Sequence, residues 1–250
     1  MQVIATNDQN ELGKAAATAA AELIVNAIEQ KGIANIILAT GLSQFETLNH
    51  LVKNKNIDWA KVVMFHLDEY IGLPDSSPAS FRRYLKERFL EKVPPLRAFY
   101  LINGETDPQQ ECERVGAIIK ENPIDVALVG VGENGHLAFN DPPADFDTED
   151  PYIIVSLDEQ CRKQQYAEGW FKSAADVPER AISMSIKQIF KSQHIICSVP
   201  ESRKAKAVKD CLEQPVNKLF PASILQLHEH CTYYLDKHSS ALLSAELPYK

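Results

Sequence analysis

Apolar residues arrive along this chain in two rhythms. Unbroken runs, rich in β-branched residues and nearly free of charge, cover Ile33 to Ala39, Lys61 to Leu67, Ile124 to Val129 and His194 to Val199. Runs of this length and make-up predict strands buried on both faces. Shorter stretches at Val3 to Ala5, Phe99 to Ile102, Tyr152 to Val155, Ala181 to Ser185 and Cys231 to Leu235 predict further strands. Between them the apolar positions fall at helical spacing. Leu12, Ala16, Ala19, Leu23, Ile24 and Ala27 follow a cap at Thr6 or Asn7 and stop at Gly32, and Phe45, Leu48 and Leu51 form a second stripe. Helices are also predicted over Ser80 to Val93, Asp107 to Glu121 and Asp158 to Phe171, and from Pro200 onward. Strands alternating with helices predict an α/β fold, a mostly parallel sheet with helices on both faces. No repeat, low-complexity tract or linker divides the chain, so residues 1–250 read as a single domain.

The polar loops that end the buried runs carry the candidate chemistry, because an open α/β sheet binds ligands at that end of its strands. After Val129 come Gly130, Gly132 and Gly135, with Asn134, His136, Asn140 and Asp141 among and behind them. Gly130 to Gly135 satisfies the G-x-G-x-x-G spacing of a dinucleotide loop. Pro142 and Pro143 follow at once, however, and no helix runs through two prolines, so that reading is rejected. The glycines instead let a small ligand lie against the backbone. His136, between Asn134 and Asp141, is open to two readings, a hydrogen-bonded structural histidine and an acid/base group.

Asp68, Glu69 and Tyr70 end another run. Neighbouring side chains on an extended segment face opposite ways, so only one of the two acids can face a pocket, and the other is structural. Two solvated acids opening a loop is the plainer alternative. Ile33 to Ala39 passes through Gly41 into a helix, offering backbone N–H groups and the hydroxyls of Thr40 and Ser43 to an anion. Without a G-K-[ST] signature this is not a P-loop, and local chemistry leaves a phosphate site and an ordinary capped turn equally open. Past Val199 a basic helix carries Arg203, Lys204, Lys206 and Lys209; most of these form a solvated face, but one or two sit at the ligand edge of the sheet.

Composition narrows the partners. With 26 Lys+Arg against 34 Asp+Glu and a formal net charge of -8, the global field opposes nucleic acid and anionic membrane, so any anion must find a local site. The five cysteines are scattered, odd in number and without a C-x-x-C pair, which argues against a disulfide framework or a zinc site and fits a reducing cytoplasm. The first residues lack the layout of a signal peptide, and no apolar run reaches the roughly 20 residues of a membrane span. His228 and His230 are two apart and His50 lies within a helix, so no histidine pattern provides a third ligand; neither a catalytic metal nor a cofactor is expected.

The blocks LATGLSQFETLNHL, VVMFHLDEYIGLPDSSPASFRRYL, IDVALVGVGENGHLAFNDP and PASILQLH, in this order and over nearly the whole chain, resemble the glucosamine-6-phosphate deaminase (isomerase) family. FHLDEYIGLP and GENGHLAFND are the specific segments. The resemblance implies a modified doubly wound, Rossmann-like α/β sheet and a metal-free aldose–ketose isomerisation of an amino-sugar phosphate with loss of ammonia. It places Asp68 as the base that removes the C2 proton, His136 as the group that opens the sugar ring and Asp141 as a supporting acid, with Asn134 beside them. Thr40, Gly41, Leu42 and Ser43 fall in its phosphate turn, and Arg162 and Lys204 at its phosphate-binding cations. Two positions depart from the family pattern, Asn134 where Asp is common and Leu42 with Gln44 where a small residue and Thr-Pro are usual. A 6-phosphogluconolactonase-type hydrolase, of a family that resembles this one in fold, is the alternative enzyme, and Leu42 and Asn134 keep open a sugar-phosphate binder without turnover. The number of subunits is left open, a homo-oligomer included.

Overall fold

The computed structural model describes residues 1–244. Its strands are β1 (Gln2–Thr6), β2 (Ala34–Leu38), β3 (Val62–His66), β4 (Asp68–Tyr70), β5 (Ala98–Tyr100), β6 (Val126–Val129), β7 (Tyr152–Ser156), β8 (Arg180–Met184), β9 (His194–Val199) and β10 (Cys231–Asp236). Its α-helices are α1 (Gln9–Lys31), α2 (Phe45–Leu51), α3 (Phe81–Leu85), α4 (Pro108–Lys120), α5 (Glu159–Ala167), α6 (Ile186–Phe190) and α7 (Ala205–Glu213). Seven strands form one sheet in the order β1-β10-β9-β6-β2-β3-β5, every pairing parallel. All residues of β2, β3 and β6 are buried, as the continuous apolar runs require.

Strand periodicity splits the core into two layers. Ile37, Val63, Phe65, Ala127 and Val129 face α4, α6 and α7 through Val115, Ile119, Ile189 and Val208. Ile36, Leu38, Val62, Met64, Val126 and Leu128 face α1 and α2 through Ala16, Ala20, Ile24 and Leu48. Helices on both faces of a parallel sheet make the doubly wound α/β architecture. From β2 the chain winds outward through β3 to β5, then crosses back to β6 on the other side of β2 and continues through β9 and β10. The loops after β2 and β6 therefore leave in opposite directions, and the crevice between them is the topological switch point.

The second half does not simply extend that sheet. β7 and β8 pair antiparallel, and β8 pairs with β4, the Asp68–Glu69–Tyr70 segment, to give a separate sheet ordered β4-β8-β7. Strand pairing is non-local, so the short apolar stretches at 152–156 and 180–184 carry no mark of which sheet they join. The stripe over Ser80 to Val93 is α3 followed by one π-helical turn, Lys86–Leu90, with the Glu91 N–H donating to the Lys86 carbonyl at 3.0 Å. The helix expected to reach Phe171 ends at Ala167, and Gly169 then takes a left-handed φ of 86°.

Candidate active site

One pocket lies at the switch point and collects residues from several separate segments, among them Thr40, Gly41, Ser43, Asp68, His136 and Lys204.

The loop after β2 forms one wall of the pocket. Gly41 has φ 91°, a left-handed conformation that glycine adopts without strain, and the chain then makes a tight turn over Leu42–Gln44 into α2. Thr40, Gly41 and Ser43 line the pocket, whereas Leu42 does not. Gln44 is buried, and its Nε2 donates to Ser43 Oγ at 3.1 Å, the Ser198 carbonyl at 3.3 Å and the Val129 carbonyl at 3.4 Å. The glutamine thus ties the turn to the ends of β6 and β9. Tyr84 Oη donates to the Gly41 carbonyl at 3.0 Å from the other side.

Alternation along β4 separates the two adjacent acids. Asp68 lines the pocket, and among the described residues its carboxylate has no hydrogen-bond partner. Burial, then the charge of Glu69, push the Asp68 carboxyl well above the ordinary carboxylate range. Glu69 points the other way and is fully buried. It accepts from Ser80 Oγ and the Arg82 N–H at 2.9 Å, the Tyr70 N–H at 3.0 Å and the Phe81 N–H at 3.2 Å, and Arg82 Nε lies at 3.3 Å. Glu69 therefore fixes the start of α3 against β4.

The glycine loop carries a hydrogen-bonded unit behind the pocket wall. His136 Nδ1 and Asp141 Oδ1 are 3.0 Å apart, so Nε2 is the ring nitrogen left for a ligand. Asn134 Oδ1 accepts from the His136 backbone N–H at 3.0 Å, while its Nδ2 donates to Asp141 Oδ1 at 2.9 Å and Asp158 Oδ2 at 3.3 Å. An amide that donates between two carboxylates is what this position needs, and an aspartate could not do so. Burial alone would push the Asp141 carboxyl up. The hydrogen bond and charge of His136, with donations from Asn134 and the Asp158 N–H, outweigh it and hold the group below its ordinary value. A Cβ on Gly132 would lie 2.2 Å from His136 Nε2, so glycine is what lets the imidazole lie against the backbone.

Two cations line the pocket, Lys204 and Arg203, in the turn before α7. Lys204 is 3% exposed and makes no ion pair among the described residues; burial and the neighbouring Arg203 lower its pKa to about 8. Arg162 is not part of the lining. It points off the pocket face of α5, with Nη1 3.6 Å from Glu179 Oε1 and Nη2 3.4 Å from the Ala174 carbonyl. Gln164, Gln165 and Glu168 face the pocket instead. Those three and Arg203 escape sequence reading, since the rotation of a helix about its axis is set by what it packs on. Arg203 had one signal, its place beside Lys204 in the basic segment.

Among the described residues, donor atoms of His136, Asp141 and Cys161 lie within 4.8 Å of one another. Burial and nearby acids push the Cys161 thiol far up, so it resists becoming a thiolate ligand, and Asp141 already accepts three hydrogen bonds, which makes the trio a hydrogen-bonded cluster more than a ready ligand set.

Residues 7–234 match the family model described as glucosamine-6-phosphate isomerases/6-phosphogluconolactonase. The chain belongs to this family. It is 36% identical to a glucosamine-6-phosphate deaminase of Lactobacillus delbrueckii subsp. bulgaricus over 244 residues, 97% of this chain and 100% of that protein. It is 38% identical to one from Lactococcus lactis subsp. cremoris over 248 residues, 98% and 100% of the two chains. Among solved structures it resembles a monomeric glucosamine-6-phosphate deaminase with a TM-score of 0.89 and 31% identity, covering 97% of this chain and 100% of that one. A 6-phosphogluconolactonase from Trypanosoma brucei shares the fold with a TM-score of 0.80 at 19% identity, over 97% and 98% of the chains. No helix among the described residues is long and apolar enough to cross a membrane.

Proposed function

We propose that this family member is an amino-sugar phosphate deaminase that converts glucosamine 6-phosphate, or a close epimer, to fructose 6-phosphate and ammonia. One observation carries the reading: an unpaired, buried carboxylate and a carboxylate-oriented imidazole share one pocket with a hydroxyl-lined turn and a buried lysine. The whole chain serves as one catalytic unit. Its five cysteines are free and buried, which suits a reducing cytoplasm.

In this reading Thr40, Gly41, Ser43 and Lys204 hold the phosphate and so place the far end of the sugar. His136 Nε2 moves a proton between O1 and O5 to open the ring, and Asp141 steadies the imidazole. Asp68 takes the C2 proton as O1 gains one, giving an enolamine; delivery of the proton to C1 with loss of one from nitrogen leaves an imine at C2. Water adds to that carbon, the C–N bond breaks, and ammonia leaves a ketone behind.

Ammonia release from a panel of phosphorylated amino sugars tests the proposal. Hydrolysis of 6-phosphogluconolactone without ammonia release would instead indicate a lactonase, and thermal stabilisation by sugar phosphates with no turnover would indicate a binding protein. A pH dependence follows from Lys204. Its ammonium is charged below about pH 8 and neutral above, so KM for the sugar phosphate should rise as pH passes 8, by up to about tenfold per unit. Initial rates at several substrate concentrations from pH 7 to 9.5 check this. A KM that stays flat across that range, or rises equally in Lys204→Met, would remove Lys204 from the phosphate site.

A further inference from the structure

The anion end of the pocket contains an acid that the proposed chemistry does not use. Glu168 follows the end of α5, its side chain 7% exposed, and lines the pocket beside Thr40, Gly41 and Lys204. Its Oε1 accepts from Gln164 Nε2 at 3.2 Å and lies 4.0 Å from Arg203 Nη2. Its Oε2 lies 3.5 Å from the point that a Cβ on Gly41 would occupy, directly over the turn whose lining faces the anion.

The charges around it do not leave a cationic hole. Arg203 is already paired with Glu201 at 2.7 Å and Glu133 at 3.0 Å. Glu168 adds a third acid against Arg203 and Lys204. A phosphate seated on the Gly41 turn must bring its oxygens into the volume that the Glu168 carboxylate now holds. Two anions cannot share that space, and like charges in a partly desolvated site repel far more strongly than in water.

We infer that Glu168 is a specificity-determining residue whose carboxylate holds the phosphate's place over Gly41, so that a phosphorylated sugar binds only by displacing it and binds more weakly for its charge. The inference rests on the reading of this pocket as a sugar-phosphate site. Displacing the carboxylate breaks its hydrogen bond from Gln164 Nε2.

Glu168→Gln keeps the side chain's length and its ability to pair with Gln164 but removes the charge. Inorganic phosphate, titrated calorimetrically into the full-length protein, should bind about tenfold more tightly to Glu168→Gln, and Glu168→Ala should shift in the same direction. Adding Lys204→Ala should weaken phosphate binding in both backgrounds. Binding that is unchanged or weaker in Glu168→Gln overturns the inference, and so does phosphate binding indifferent to Lys204. The titration needs no turnover. Absence of ammonia release would therefore refute the proposed reaction while leaving Glu168 to be judged by phosphate binding alone.

Discussion

Asp68→Asn should abolish exchange of the substrate's C2 proton with solvent while ring opening stays detectable, with turnover falling at least ~10²- to 10⁴-fold, the usual contribution of a positioned general base. The carboxylate faces the pocket without a hydrogen-bond partner, so its lone pairs are free for a proton. Burial and Glu69 raise its pKa. Because only the ionised form is a base, the acid limb of kcat/KM should sit above the ordinary carboxylate range, with activity lost as pH falls through it. The stability linkage has the opposite sense. The native state binds this proton more tightly than the unfolded chain, so the group's contribution to stability is full below its ordinary pKa and is lost as pH rises through the raised one. Wherever Asp68 is ionised it therefore destabilises the fold. The asparagine variant should melt higher, by about 2–4 °C for each kcal/mol relieved in a chain of this size. Deuterium uptake at C2 followed by NMR, with a thermal melt alongside, reads both effects. Normal C2 exchange in Asp68→Asn would sink the base assignment.

His136→Gln should slow ring opening by a comparable general acid/base factor of ~10²-fold or more, and Gly132→Ala should reproduce the defect without replacing the histidine. His136 is held through Nδ1 by Asp141, which is kept ionised, and through its backbone N–H by Asn134. The ring lies on Gly132 so closely that a methyl group there would meet Nε2, Cδ2 and Cε1 at 2.2–2.3 Å. Either the ring turns away or the loop shifts, and overpacking of this kind costs about 1–3 kcal/mol in stability as well. Anomer exchange of the bound sugar phosphate, measured by magnetisation transfer, separates this step from C2 chemistry. Wild-type anomer exchange in a folded Gly132→Ala protein would show that the imidazole is not the ring-opening group.

Much of this arrangement was legible in the sequence because its causes are local. The runs ANIIL, VVMFH and VALV are apolar on both faces, which is possible only for strands covered twice, and the helical stripes between them supply the covers. Adjacency in an extended segment was enough to separate Asp68 from Glu69, one facing the pocket and the other capping α3. The proline pair after the glycine loop was enough to reject a dinucleotide site. Long-range pairing decided the rest. Strand order places the loops after β2 and β6 side by side, and pairing with β8 turns the DEY segment into a strand. The packing of α5 turns Gln164, Gln165 and Glu168 toward the pocket and Arg162 away from it. Periodicity and turn chemistry are written in neighbouring residues, so the sequence determined which segments are strands, helices and polar loops. Which loops meet, and which face of a helix meets them, depends on contacts between residues far apart in the chain, and only the tertiary structure decides those.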